Sequence, residues 1–288
     1  MRISLGIYEK AMPNFLSFRE KFRLAKEAGF DYMEISIDES DEKLQRLDYT
    51  KEEISEIKKA MEEEDFFIRT MCLSGHRKYP LGSHDENIRN KSLEIMEKAL
   101  KLADELGIRI IQLAGYDVYY EEGDEETREY FRNNLKKVVN MAASYGVVLG
   151  FETMETEFMD TISKAMVYIN EINSPYLGVY PDIGNLKNAC VLYKRDIIEE
   201  IDSGKGHIFA AHLKETITGV YRNMDFGTGH TEYIPCIAVL LKQGVRIFTG
   251  EFWYQGEENY KEKIIGANGF LREKIKRAIE LVEPSQPH

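Results

Sequence analysis

Eight short apolar or β-branched runs, each parted from the next by a longer charged segment, constrain this chain more than any other feature. They are ISLGIY (3–8), YMEISI (32–37), FIRTMCLS (67–74), IRIIQLAGY (108–116), VVLGFETM (147–154), YLGVYPDIG (176–184), HIFAAHLKE (207–215) and VRIFTGEFW (245–253). Intervening segments such as FLSFREKFRLAKEAGF, IRNKSLEIMEKALKLADELG and TREYFRNNLKKVVNMAASYG repeat apolar residues at three- and four-residue spacing, the period of an amphipathic helix. Gly29, Gly107 and Gly146 end such segments and lead into the next strand, as left-handed helix caps do, and Gly244 plays that part before the last. Strands alternating with helices call for a parallel sheet, and eight is the number that closes into a (β/α)8 TIM barrel. An open doubly wound sheet should carry G-x-G-x-x-G after an early strand; neither that motif nor a P-loop is present. The 288 residues suit one large domain, expected over 1–283, with 284–288 as a flexible tail.

A formal net charge of -12 disfavours nucleic acid and anionic membrane surfaces as partners, while a small anionic substrate could still be held by a few local cations or a metal. Cys72, Cys190 and Cys236 are odd in number and lack metal-ligand spacing, so they read as reduced, buried thiols. MRISLGIYEK shows no signal-peptide succession and no apolar run approaches the roughly 18 residues of a membrane span, so a cytoplasmic location is expected. Exposed barrel helices permit a homodimer without specifying one.

A barrel keeps its chemistry at the C-terminal ends of the strands. There, Glu152 ends the fifth run, Asp182 the sixth, His212 lies late in the seventh and Glu251 late in the eighth. A buried, unpaired charge costs several kcal/mol, so something must compensate each of them, and a shared divalent cation is the economical answer. Two Glu, one Asp and one neutral imidazole suit Zn²⁺, Mn²⁺, Mg²⁺ or Co²⁺ without distinguishing among them. Glu155 and Glu157 lie beyond the strand, where the next helix begins; Glu155 turns toward substrate only if that loop tightens.

GIYEK, MEISIDE, RLD, MCLSGHRKYPLGS, LEIM, IRIIQLAGYDVYY, YPDIGN, GHI and the FG at 226–227 resemble the L-xylulose-5-phosphate/L-ribulose-5-phosphate 3-epimerases of pentose and L-ascorbate catabolism, within the xylose-isomerase-like barrels. The resemblance runs from the first strand through the eighth. It implies an isomerase with one divalent metal ion on Glu152, Asp182, His212 and Glu251, the four positions that burial had already singled out. It further implies epimerisation at carbon 3 of a small phosphorylated ketose through a cis-enediolate, with Glu152 and Glu251 as opposed acid/bases. Substrate contacts are expected among Lys10, Ser74, His76, Arg77, Tyr116, Glu155, Asn185, Lys214 and Asn223, with backbone N–H groups helping to hold the phosphate.

Free-ketose 3-epimerases of the same superfamily carry a histidine three positions after the strand-six aspartate and an arginine downstream of the strand-seven histidine. Here Asn185 and Thr218 stand at about those places, which favours the phosphorylated branch. A hexulose-6-phosphate isomerase would use the same metal with proton transfer between C1 and C2. An endonuclease-IV-like hydrolase would need a cluster of zinc ions on many histidines, of which only His212 is well placed. A catalytically dead barrel should have lost a metal ligand, and all four are present. His207 begins a strand and reads as structural, His84 as a helix-entry residue, His230 as a loop residue, and His288 lies in the tail.

Overall fold

A computed structural model describes residues 1–283; the expected tail at 284–288 lies outside the described residues. Eight strands form, β1 (Ser4–Tyr8), β2 (Tyr32–Ile37), β3 (Ile68–Leu73), β4 (Ile110–Leu113), β5 (Val148–Phe151), β6 (Leu177–Val179), β7 (Ala211–Leu213) and β8 (Ile247–Gly250). All pair in parallel in the order β6-β5-β4-β3-β2-β1-β8-β7. Two isolated parallel bridges, Val179 with Ile208 and Asp182 with His212, join β6 to β7 and close the TIM barrel. The second of these seams lies between two expected metal ligands.

The helices are α1 (Phe18–Glu27), α2 (Asp41–Gln45), α3 (Lys51–Glu64), α4 (Glu86–Leu106), α5 (Glu125–Tyr145), α6 (Ile162–Ile172), α7 (Ile183–Tyr193), α8 (Ile197–Ser203), α9 (Tyr233–Lys242) and α10 (Tyr260–Val282). Reciprocal capping boxes start α1 (Ser17 with Glu20), α3 (Thr50 with Glu53) and α5 (Asp124 with Thr127). Gly107 and Gly146 end α4 and α5 at φ 75° and 65°, a conformation that costs a residue with a Cβ. One contiguous apolar core runs from Leu5 on β1 to Ala278 on α10.

The sixth and seventh strands are shorter than the apolar runs suggest. Pro181 has no N–H to continue a ladder, and Asp182 beside it already caps α7, so β6 stops at Val179. Past the end of β1, Glu9 is buried among three cations. Its carboxylate accepts two hydrogen bonds from Arg46 (2.6 and 2.7 Å), one from Lys21 (2.8 Å), one from Lys43 (3.4 Å) and one from the Ser36 N–H (3.0 Å). Burial opposes its charge, but Arg46 first, then Lys21 and Lys43, holds its pKa well below the usual carboxylate range. This cluster ties the end of β1 to α1 and α2, and Tyr8 and Lys10 on either side of Glu9 face the central pocket.

Candidate metal centre and substrate pocket

The four residues that interrupt apolar runs converge. Ligand atoms of Glu152, Asp182, His212 and Glu251, all buried, lie within 4.8 Å of one another. Backbone pairing continues past the strand ends to place them: Glu152 N–H donates to the Leu113 carbonyl (3.0 Å), Glu251 N–H to Leu213 (2.9 Å) and His212 N–H to Pro181 (2.9 Å). Asp182 divides its carboxylate between two tasks. Oδ1 accepts the Asn185 N–H (2.7 Å) and caps α7, whereas Oδ2, like Glu251 Oε2, is buried with no well-aligned hydrogen bond and only the Lys214 ammonium as a cationic neighbour besides His212. Both oxygens face His212 Nδ1, at 3.9 and 3.3 Å, with Glu152 Oε1 at 4.0 Å.

Lys214 Nζ stands 3.1 Å from Glu251 Oε2 and 3.4 Å from Asp182 Oδ2. One ammonium and one imidazole do not neutralise three buried carboxylates at this spacing. Burial, then the Glu251 charge, pushes Glu152 up to about 8, and burial with Glu251 pushes Asp182 to about 7 against the pull of Lys214. Burial also works against Glu251, but Lys214 and His212 keep its pKa well below the usual range. Converging hard oxygens plus one imidazole nitrogen fit a single divalent cation. Among the described residues, no other histidine joins the cluster.

The imidazole is itself held in place. His212 Nε2 donates to Glu34 Oε1 (2.5 Å), while Glu34 Oε2 accepts from the Thr70 hydroxyl (2.7 Å) and the Tyr180 hydroxyl (2.9 Å). With Nε2–H given to Glu34, Nδ1 is the nitrogen left for a metal, which must displace any proton it carries; this is the arrangement by which an outer carboxylate orients a histidine ligand. Burial works against a charged imidazole, yet Glu34 and then Glu251 raise His212 well above its ordinary pKa. Gln112 Nε2 lies 3.1 Å from His212 Nδ1 and 3.4 Å from the Tyr180 carbonyl, and its buried Oε1 has no partner. Sequence reasoning passed over Glu34 and Gln112. The available signal was a lone glutamate inside YMEISI, a strand whose six residues are all buried.

Above the cluster lies a narrow pocket. Seven of the expected substrate residues, Lys10, Ser74, Arg77, Tyr116, Glu155, Asn185 and Lys214, lie on it or directly against it: six line it, and the Tyr116 hydroxyl donates to Glu155 (2.9 Å). Glu155 had been set beyond the strand, and its loop does turn it inward. Lys10 is ion-paired with Asp38, and Asn185 Nδ2 donates to the Thr153 carbonyl (2.8 Å). Two expected residues lie elsewhere. His76 is buried against α4, with Nε2 3.2 Å from the Ser92 carbonyl, and burial pushes it down to about 4, so it is a neutral packing residue. Asn223 lines a separate cavity with Phe226, Phe252 and Phe270. Tyr8, Tyr221, Arg222 and Trp253 also reach the pocket without having been singled out.

Residues 22–274 match the model of the xylose isomerase-like TIM barrel. The L-ribulose-5-phosphate 3-epimerase UlaE of Shigella boydii serotype 18 is 42% identical over 278 residues, 96% of each chain. Among solved structures, a D-tagatose 3-epimerase-like protein superposes with a TM-score of 0.79 at 17% identity, covering 98% of this chain and 100% of that one. The zinc-bound IolI protein does so with a TM-score of 0.75 at 16% identity, over 98% and 100%. At those identities the structural likeness speaks to the fold alone.

Proposed function

We infer, because the chain belongs to the xylose isomerase-like TIM-barrel family and to its branch of L-ribulose-5-phosphate 3-epimerases, that it is an isomerase interconverting L-ribulose 5-phosphate and L-xylulose 5-phosphate. The observation that carries the reading is the closed set of four buried ligand atoms within 4.8 Å of one another, three of them carboxylate oxygens offset only by Lys214 and His212, at the floor of a pocket lined by cations. Epimerisation at C3 removes the proton α to the C2 carbonyl from one face and returns a proton to the other. A divalent cation held by Glu152, Asp182, His212 and Glu251 would supply Lewis-acid polarisation of that carbonyl.

Glu152 and Glu251 do the proton transfer in this reading. They enter from β5 and β8, three strands apart along the sheet order that runs through β6 and β7, so their carboxylates approach a bound ketose from different sides. One abstracts the C3 proton and the other protonates the resulting cis-enediolate on the opposite face, and the roles exchange with the direction of reaction. Lys214, beside Glu251, places a fixed positive charge where the enediolate's negative charge develops. Met154 and Trp253 add apolar surface to the same pocket. A coupled assay with L-ribulose 5-phosphate, with metal-stripped and reconstituted protein, tests the reading. Turnover restored by a divalent cation supports it; no activity on either epimer, or activity indifferent to stripping, overturns it.

A further inference from the structure

We propose that Glu215 is a positioning residue, whose buried carboxylate cinches the base of the β7–α9 connection and so sets the wall that this connection gives the catalytic pocket. On the reading of that pocket as a phosphoketose site, this gives a task to a side chain that belongs neither to the four-residue cluster nor to the pocket lining. Residues 214–232, between Leu213 and Tyr233, run without a helix or strand beyond one isolated bridge, Ile217 with Val220. A connection of that length is uncommon in a compact domain unless it has a task. This one carries Tyr221 and Arg222 into the catalytic pocket and Asn223 into the cavity beside it, and Arg222 Nη2 comes within 3.4 Å of Glu155 Oε1.

The Glu215 carboxylate is filled from both ends of the connection. Oε2 accepts the Gly227 N–H at 2.7 Å, while Oε1 accepts the Thr231 N–H at 3.1 Å and the Thr216 N–H at 3.2 Å. One buried charge therefore gathers the residue that follows it and residues 12 and 16 positions further on. A buried carboxylate is costly unless its lone pairs are filled, so the charge and the closed path of the loop depend on each other. The approach demands glycine: a Cβ on exposed Gly229 would collide with the Thr216 carbonyl oxygen and stand 2.6 Å from Glu215 Oε1. That Thr216 carbonyl accepts the His230 N–H (2.9 Å), and the Thr216 hydroxyl donates to the Gly184 carbonyl (2.9 Å), which fixes the base of the loop onto α7.

Beside the Gly227 corner, Phe226 stacks on Phe270 with ring centres 5.7 Å apart. Residues 221–225, which reach both cavities, are therefore held between the Ile217–Val220 turn and a corner fastened by Glu215 and Phe226. The charge contributes more than bulk here. A glutamine of the same shape has one acceptor oxygen and must turn its NH2 group toward either Gly227 or the Thr216 and Thr231 pair, so it cannot close both ends.

The test uses the full-length, metal-loaded protein and the variants Glu215→Gln and Gly229→Ala. The first removes an acceptor at constant shape; the second wedges the loop from an exposed position with the charge left in place, and it carries the test if the first fails to fold. Hydrogen exchange of the backbone amides in 216–232 should accelerate about 10–100-fold in both, as the loss of bonds to a charged acceptor allows, with the barrel strands unchanged. Trp253, the one tryptophan of the chain, lines both cavities, so its emission should shift to the red as the wall loosens. If the wall holds its binding-competent placement about a tenth of the time, KM for L-ribulose 5-phosphate rises about tenfold while kcat stays within a few-fold. Unchanged exchange in both variants overturns the proposal. So does acceleration spread evenly over the barrel, the mark of a stability role alone, and so does a loosened loop with an unchanged KM. Exchange and fluorescence need no turnover, so a loosened loop in a protein inactive on both epimers would uphold the cinch while the epimerase reading fell.

Discussion

Replacing Glu34 separates the geometry of the metal centre from its mere composition, because Glu34 touches His212 and would touch neither metal nor substrate. Its carboxylate takes the His212 Nε2–H at 2.5 Å and the hydroxyls of Thr70 and Tyr180 at 2.7 and 2.9 Å. In Glu34→Gln the amide oxygen can still accept from His212, and both hydroxyls can turn to accept from the amide nitrogen. The shape is kept and only the charge behind the imidazole is lost. Outer partners of a metal-bound histidine are worth roughly 10–100-fold in metal affinity, or about 1.4–2.8 kcal/mol. Glu34→Gln should fall near the lower bound. Glu34→Leu, which also strands a buried Nε2–H and two hydroxyls, should reach the upper one. Thr70→Val, removing one of three donors and none to His212, should cost no more than about threefold, in keeping with a single neutral hydrogen bond. Chelator-competition titration with Zn²⁺ or Mn²⁺ measures all three against the parent. Wild-type affinity in both Glu34 variants, or a Thr70→Val loss as large as that of Glu34→Leu, would refute the positioning argument.

Glu152→Gln and Glu251→Gln should each lower kcat by at least roughly 10²–10⁴-fold, the usual worth of a positioned acid or base, and near-normal turnover in either removes it from the two-base scheme. Metal affinity should fall with pH in a calculable direction. Glu152 and Asp182, raised to about 8 and about 7, hold protons that a cation must expel. Uptake should therefore release about two more protons near pH 6 than near pH 9, on top of the proton that His212 must give up from Nδ1, as calorimetry in buffers of different ionisation enthalpy would report; a flat profile contradicts the electrostatics. Arg46→Met takes the bidentate partner from buried Glu9 but leaves Lys21 and Lys43, so urea denaturation should register a loss toward the lower end of the roughly 3–5 kcal/mol typical of a broken buried pair. A loss typical of a surface site would mean that the cluster does not hold the end of β1.

The barrel was legible because a buried parallel strand is an uninterrupted apolar run, and eight such runs survive any error in their ends. The cluster proposed to hold a metal was legible for the converse reason: Glu152, Asp182, His212 and Glu251 each place a polar group where an apolar run stops, and the fold brings them together. Glu34 escaped because its partner, His212, is 178 positions away and no local pattern joins them. Arg222 sits in a connection with neither period nor motif, so its approach to Glu155 is a product of closure alone. His76 misled in the opposite sense: HRKY reads as a basic loop, yet packing turns the imidazole under α4. Helix ends divided in the same way. Glycines announced four caps, while Asp65, Asn173 and Lys194 adopt the same left-handed conformation without the residue that advertises it.

The central claim is that protons leave and return at C3. Metal-loaded protein incubated with L-ribulose 5-phosphate in deuterium oxide and followed by ¹H NMR tests it directly. The account predicts loss of the C3 proton signal in both epimers as they interconvert, with the C1 protons retained. Deuterium at C1 with C3 untouched would contradict it and assign the same metal cluster to aldose–ketose isomerisation instead.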